Sequence, residues 1–306
     1  MKIAITGASG LIGGALMKAL RADDHEVIQL VRRTPRTTDE HRWDPQHHRI
    51  DPAVLADVDA VVNLAGTPIR PRPFTDGYKE RLLTSRLDAT TTISQALADA
   101  AAAEPARTRV LLSASAVGFY GDTGSRTVTE HDPAGSDFLA QVCAQWEAAT
   151  TAAETAGIRV AHLRSGLVLD RSAMLVQVLG PIFRLGLGGR MGSGRQYWPW
   201  ISLADEIGAI RHLLTADVSG PVNLTGPEPV TNADFVAEMG RQVHRPTVLP
   251  VPTLALNLAL GEFGRSSVVG GQRALPVRLQ ESGYEFAHPD LRSALQAALG
   301  ASPPAR

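Results

Sequence analysis

"MKIAITGASGLIGGAL", residues 1–16, decides the fold of this chain. "MKIAIT" has the length and bulk of a short buried strand, and "LIGGALMKALRA", residues 11–22, carries its apolar residues at helical spacing. Between the two stands Gly7-x-x-Gly10-x-x-Gly13. Glycines here permit a tight turn, close approach of bare backbone to a pyrophosphate, and close packing of helix on strand. The helix N-terminus adds unpaired N–H groups and the positive end of its dipole. A glycine triplet alone is a weak signal, equally consistent with a purely structural turn. The strand before it, the helix after it and its place at the head of the chain make it a dinucleotide-binding turn. Gly7, Ser9, Gly10, Leu11, Ile12 and Gly13 are its candidate cofactor contacts.

Outward from this turn the rhythm repeats. "HEVIQLVRR" (25–33) and "DAVVNLAG" (59–66) read as strands, and residues 76–101 as a long helix. "RTRVLLSASA" (107–116) reads as a strand, residues 136–156 as a helix, and "IRVAHLRSGLVL" (158–169) as a strand broken near Ser165–Gly166. Strands alternating with helices predict an α/β fold, a doubly wound Rossmann-like parallel sheet. After residue 170 the pattern changes. "LGLGGRMGSGRQYWPWIS" (185–202) looks like a hairpin with a following turn, "LADEIGAIRHLLTA" (203–216) is helical, and "GPVNLTG" (220–226) looks like a strand returning to the sheet. The expected division is a nucleotide-binding domain of residues 1–169 plus 203–226, a smaller discontinuous C-terminal lobe of 170–202 plus 227–300 for substrate, and a tail, 301–306.

The second strand bears on which dinucleotide is bound. A fold that prefers NAD places Asp or Glu about 20 residues beyond the glycines, on the ribose hydroxyls. This chain has "LVRRTPR" there. Arg32 and Arg33 suit a 2′-phosphate through charge-assisted bonds, which favours NADP; the alternative is a pair of ordinary solvated arginines. Asn63-Leu64-Ala65-Gly66 falls at a strand's C-terminal edge, where Leu64, Ala65 and Gly66 let a nucleotide pass.

Composition excludes other classes. The chain has 306 residues and a formal net charge of −1, which gives no electrostatic reason for nucleic acid or an acidic membrane surface as a partner. One cysteine, Cys143, excludes an intrachain disulfide and a cysteine-rich zinc site, and no metal is expected. A reducing, cytoplasmic setting is the simplest reading. Met1 runs straight into a strand, so no signal peptide is expected, and the apolar run "LPVPTLALNLALGEFG" (249–264) is too short to span a bilayer.

The glycine turn, "NLAG", "SASAVGFYGD" (113–122) and "WPWISLADEI" (198–207) together resemble the extended short-chain dehydrogenase/reductase superfamily. "RWDP" (42–45), "TSRLDAT" (84–90), "LRSGLVLDRSAML" (163–175) and "GGRMGSGRQYWPWIS" (188–202) are similar to its atypical, nucleoside-diphosphate-sugar epimerase-like branch, and residues 252–299 resemble that branch's C-terminal domain of unknown function. The resemblance covers nearly the whole chain. Arg86, Ser113 and Arg164 join the candidate cofactor contacts, Arg164 because it stands at the C-terminal end of a strand, where such sheets bind ligands; the resemblance implies a homodimer.

The resemblance also implies a serine after the fourth main strand and a Tyr-x-x-x-Lys on the next helix, where the lysine lowers the tyrosine's pKa and holds the ribose. Ser115 matches the serine. The helix, "SDFLAQVCAQWEAATTAAETAG" (136–157), contains neither Tyr nor Lys. Aligned on Glu147, the tyrosine falls on Leu139 and the lysine on Cys143. The only lysines are Lys2, Lys18 and Lys79. Ser115 and Tyr120 are therefore the candidate catalytic residues. Ser115 either binds a substrate carbonyl or caps its strand, and Tyr120 either serves as the acid or packs the loop. Asp122, Glu130 and His131 lie in the same loop. Cys143 reads as a small core residue or a nucleophile without a basic partner, and Trp146 and Glu147 as packing residues.

On the substrate side, Arg190, Tyr197, Trp198 and Trp200 combine forked donors with flat rings and suit an anionic or sugar-like small molecule; the alternative is that the aromatics pack a lobe. The function expected is NADP-dependent oxidoreductase or epimerase-like chemistry on a carbonyl or secondary alcohol, without the usual pair. The rival is a non-catalytic NADP-binding sensor or scaffold. A third reading, an NAD-dependent sugar-nucleotide epimerase, conflicts with Arg32.

Overall fold

The computed structural model describes residues 1–300, apart from the side chains of six residues between 255 and 267. The expected tail, 301–306, lies outside the described residues. The chain runs β1 (Lys2–Thr6), α1 (Leu11–Ala22), β2 (Glu26–Val31), β3 (Glu40–Asp44), β4 (Arg49–Ile50), α2 (Ala53–Ala56), β5 (Ala60–Asn63), α3 (Asp76–Ala103), β6 (Val110–Ala116), β7 (Thr127–Val128), α4 (Phe138–Ala148), α5 (Thr151–Thr155) and β8 (Arg159–Ser165). It continues through β9 (Leu167–Leu169), α6 (Met174–Arg184), β10 (Tyr197–Trp198), β11 (Trp200–Ser202), α7 (Leu203–Thr215), β12 (Gly220–Leu224), β13 (Val230–Thr231), α8 (Asn232–Gln242), α9 (Thr253–Phe263), β14 (Arg273–Ala274), α10 (Val277–Glu281) and α11 (Leu291–Leu299).

The main sheet has the order β12-β8-β6-β5-β1-β2-β3-β4. Every pair in it is parallel except β3 with β4. Alternate residues of each strand face opposite cores, so the central strands read as continuous apolar runs. Ile3, Ile5, Val62, Leu112 and Leu163 pack under α1 and α7, against Leu16, Leu20, Ile207 and Ile210. Ala4, Val61, Leu111 and Val160 pack under α3 and α5, against Ala89, Ile93, Leu97 and Ala153. Each such Leu, Ile or Val contributes roughly 1.5–3 kcal/mol by leaving water. This is the expected doubly wound α/β fold. The strand order reverses between β1 and β5, and ligands of such sheets bind outside the strand ends at that switch point.

Three local expectations are corrected. A seventh parallel strand, β3, extends the edge beyond β2 where the sequence pattern showed no strand. The helix expected over 136–156 is two helices, α4 and α5, separated at Ala149–Thr150. The hairpin expected over 185–202 does not form: β10 pairs antiparallel with β13, and β11 pairs parallel with β9. The break at Ser165–Gly166 is real, because a Cβ on Gly166 would collide with the Pro199 carbonyl oxygen.

A separate core holds Leu169, Val176, Leu179, Phe183, Trp198, Trp200, Phe235, Met239 and Leu295. Trp198 and Trp200, expected to face a ligand, lie inside it, 3 % and 1 % exposed. Trp198 meets Phe235 edge-on at 5.1 Å between ring centroids, and Trp200 Nε1 donates to the Glu228 carbonyl at 3.2 Å. No helix among the described residues is long and apolar enough to cross a membrane.

Candidate active site

The glycine turn joins β1 to α1 at the switch point. Gly7 has φ +68°, and a Cβ there would lie 2.7 Å from the Leu64 carbonyl oxygen; a Cβ on Gly13 would overlap the Gly7 carbonyl. Gly10 is the N-cap of α1 and no side chain caps the helix. The first-turn amides of α1 are thus left for an outside acceptor, which is what a dinucleotide pyrophosphate supplies. The facing edge is held by Thr6. Its Oγ1 accepts from the amides of Leu64 and Ala65 at 2.9 and 3.0 Å and donates to Asn63 Oδ1 at 2.7 Å. Asn63 donates in turn to Thr90 Oγ1 at 2.9 Å, and so does Trp146 Nε1. These bonds fix Leu64, Ala65 and Gly66 opposite the glycine turn.

Thr6 lies opposite Leu30 in the β1–β2 register, so Arg32 emerges on the same sheet edge as the turn. The two arginines there part company. Arg33 forms a fork–fork pair with Glu40, at 2.7 and 2.5 Å, which removes it from any phosphate. Glu40 also accepts from the Arg36 amide at 2.7 Å. Asp39 accepts from Gln29 Nε2 and pairs with Arg21, and its carboxyl is held down at about 2 by hydrogen bonds to Thr37 and Gln29. Both nearby carboxylates are engaged, while Arg32 is exposed and unpaired among the described residues.

On α4 the two positions aligned with the usual catalytic pair face the turn Val117–Tyr120. A Cβ on Gly118 would lie 3.8 Å from Leu139 Cβ and 4.0 Å from Cys143 Sγ. Burial pushes the Cys143 thiol up to about 12, so no thiolate nucleophile forms near neutral pH. Behind them runs a buried network. Ser115 Oγ donates to Glu147 Oε1 at 2.7 Å. Arg164 forks onto the same carboxylate, Nε to Oε1 and Nη2 to Oε2, both at 2.8 Å. Arg164 Nη1 donates to the Tyr120 hydroxyl at 2.9 Å, and that hydroxyl donates to Asn223 Oδ1 at 2.7 Å. Tyr120 is 2 % exposed, and burial pushes its phenol up to about 12 against the pull of Arg164. The structure therefore places the expected acid in the interior with its proton already donated. Ser115 and Arg164 are likewise turned inward onto Glu147. Sequence reasoning used Glu147 as an alignment anchor and read it as packing and capping charge on its helix, and it passed over Asn223.

Other candidates scatter. Ser113 Oγ is sealed and has no partner among the described residues. Asp122 Oδ1 accepts from the amides of Gly124 and Gly271, both at 3.2 Å, and Glu130 accepts from those of Asn223 and Arg278 at 3.0 and 3.3 Å; both tie down the C-terminal segment. His131 and Arg190 are exposed, and Tyr197 is half-buried under Arg273. Arg86 is buried on α3, beside Gly66. No group of His, Cys, Asp and Glu among the described residues is arranged to hold a metal ion.

Residues 3–225 match the NAD dependent epimerase/dehydratase family, and residues 251–298 match a domain of unknown function, DUF1731. An epimerase family protein of Mycobacterium bovis, Mb2239, is 47 % identical over 96 % of both chains. The mouse epimerase family protein SDR39U1 is 34 % identical, covering 97 % of this chain and 99 % of its own. The crystal structure of human SDR39U1, isoform 2, with NADPH superposes with a TM-score of 0.84 at 29 % identity, covering 99 % of this chain and 100 % of that one. A nucleoside-diphosphate sugar epimerase from Corynebacterium glutamicum superposes with a TM-score of 0.80 at 35 % identity, covering 98 % of this chain and 58 % of that one. With its glycine turn intact and its α4 pair replaced by Leu139 and Cys143, this chain belongs to the epimerase/dehydratase family of extended short-chain dehydrogenases, in the branch that carries the DUF1731 domain.

Proposed function

We propose that the chain binds NADPH and carries out hydride chemistry between the nicotinamide and a carbonyl or secondary alcohol carbon, without a Tyr-x-x-x-Lys pair. The observation that carries the cofactor choice is Arg32. It is an unpaired guanidinium at the end of β2, and the carboxylates that would repel a phosphate there, Asp39 and Glu40, are held by Arg21, Arg33 and backbone. The NADPH in the human SDR39U1 structure supports the same choice. The cofactor supplies the hydride; the chain's part is to seat it with the α1 amides and the edge Leu64–Gly66, and to stabilise charge as it develops. Tyr120, Arg164 and Glu147 act as the rigid wall of the site rather than as its acid.

Titration with NADPH and NADH, followed by nicotinamide fluorescence, tests the reading. We expect NADPH to bind at least tenfold tighter, and Arg32→Ala to remove most of that preference, about 1.4 kcal/mol or more. Equal affinity for the two dinucleotides, or none for either, overturns it. The engaged Ser115 and Tyr120 favour a second reading, a sensor that binds NADPH and does no chemistry. Substrate-dependent NADPH oxidation across a carbonyl panel separates the two.

A further inference from the structure

Of the large apolar side chains exposed among the described residues, all but Met1 fall in two stretches, 174–187 and 248–258. The first begins with α6. Val176, Leu179 and Phe183 turn one face of that helix into the core around Trp200. Met174, Val178 and Ile182, spaced four apart, lie on the opposite face and are exposed. Gln177 and Arg184 are the only polar residues of the helix. A helix apolar on both faces is normally buried on both, so α6 lacks a cover. Leu185 and Leu187 carry the apolar surface past its end.

The second stretch runs alongside. Gly189 pairs with Val248 and Met191 with Val251. A Cβ on Gly189 would overlap the Leu249 carbonyl, so glycine permits this close approach. Arg245 Nε donates to the Arg184 carbonyl at 3.0 Å and fastens the same two segments. Val248 and Leu249 are exposed there, and Leu254 and Leu258, one turn apart on α9, follow. Leu185, Val248, Leu254 and Leu258 are 71–78 % exposed. They project outward, whereas the floor of a groove would be shielded.

Charge follows the same stretches. Between Asp170 and Asp205, and again between Glu238 and Glu262, the sequence has no acidic residue and carries Arg171, Arg184, Arg190, Arg195, Arg241 and Arg245. All six are exposed. Arg241 pairs with Glu238 at 2.7 Å, and the others meet no carboxylate among the described residues. Arg171, Arg184, Arg190 and Arg245 each stand within three residues of an exposed apolar side chain. The formal charge of −1 averages this basic face against acidic surface elsewhere, so composition alone gives no sign of it.

We propose that this face, α6 with the segments 185–191 and 245–251 and the start of α9, seats the protein on an anionic lipid surface. The projecting leucines and valine enter the boundary between headgroups and acyl chains, and the arginines meet lipid phosphates. A second copy fits poorly, because a two-fold contact through this face would set the arginines of one copy against those of the other. The inference does not depend on the hydride chemistry proposed above.

Cosedimentation with vesicles tests it. The full chain is mixed with vesicles of phosphatidylcholine alone or with about one-third phosphatidylglycerol, at low salt and at about 0.5 M salt. Wild type is compared with Leu254→Ser/Leu258→Ser and with Arg171→Gln/Arg184→Gln, and thermal melts establish that each variant is folded. We expect binding to the anionic vesicles about tenfold tighter than to the neutral ones, and weaker at high salt. The leucine variant should lose about tenfold and the arginine variant about fivefold or more. No binding to anionic vesicles, equal binding to both kinds, or wild-type binding by the folded leucine variant overturns the proposal. A dimer in sedimentation equilibrium that the leucine variant dissolves also overturns it and assigns the face to a second copy. Binding of an amphipathic Leu/Glu helical peptide without binding of vesicles overturns it in favour of an acidic protein partner.

Discussion

Glu206 carries a carboxyl whose second oxygen has no partner among the described residues. The residue is fully buried in the first turn of α7; one oxygen accepts from Ser165 Oγ at 2.6 Å and Oε2 is sealed and unpaired. Burial pushes this carboxyl up from 4.5 to about 7, against the pull of the Ser165 hydrogen bond. Between those two values the native state holds a proton that the unfolded chain has lost. Stability therefore falls as pH rises through this window, and the full penalty, about 3 kcal/mol, is present above about 7 and absent below about 4.5. Glu206→Gln removes the term. Urea unfolding at pH 5 and pH 8 should show the variant gaining about 2–3 kcal/mol on wild type between the two. Parallel curves at both pH values would mean that the carboxyl is ionised throughout. Tyr120 obeys the same physics in the opposite role: a phenol pushed up to about 12 stays protonated at any working pH and serves as a fixed donor to Asn223.

Among the elements, the strand–turn–helix unit from β1 to α1 is the one most tightly specified by its own residues. Gly13→Ala puts a methyl group into the Gly7 carbonyl, so α1 must move off β1. We expect a cost of about 1–3 kcal/mol from overpacking and at least a tenfold loss of dinucleotide affinity, read by thermal melt and nicotinamide fluorescence. Retained affinity would show that the helix N-terminus does not carry the pyrophosphate. The same locality explains why this unit was legible: the positive φ of Gly7 and the contacts of Gly10 and Gly13 with the Gly7 carbonyl are all set within seven residues, and only the Leu64 carbonyl against Gly7 comes from afar. β3 was not legible, because a five-residue edge strand, "EHRWD", buries only Glu40 and Trp43 and alternates with nothing recognisable. β10 and β11 are two and three residues long, and their partners lie in β13 and β9, so distant packing rather than local pattern makes them strands. The candidate site divides along the same line. The glycine turn and the missing pair could be read directly. The Ser115–Glu147–Arg164–Tyr120–Asn223 network could not, since it draws on β6, α4, β8, the turn after β6 and β12. Arg86 did leave a trace: a charged residue where the helical period calls for an apolar one.

Across the whole molecule, the C-terminal segment binds the two cores together. Leu279 of α10 lies in the core beneath α1 and α7, whereas Leu291, Ala294, Leu295 and Ala298 of α11 lie in the core around Trp200. The stretch between them is pinned by one carboxylate. Asp205, fully buried, accepts from the Ala287 amide at 2.7 Å, the His288 amide at 3.1 Å, the Tyr284 hydroxyl at 3.1 Å and Ser202 Oγ at 2.6 Å. Asp205→Ala removes the acceptor of the half-buried Ala287 and His288 amides, at about 0.5–1.5 kcal/mol each. Residues 284–290 are the segment these bonds hold, so the variant should open there first. Limited proteolysis should cut it between 284 and 290 at least tenfold faster than wild type. Because none of these bonds reaches the glycine turn or Arg32, the nicked or opened protein should still bind NADPH within a few fold. Proteolysis at the wild-type rate would show that Asp205 is not the clamp. Loss of NADPH binding in step with cleavage would show that the two cores and the nucleotide site stand or fall as one cooperative unit.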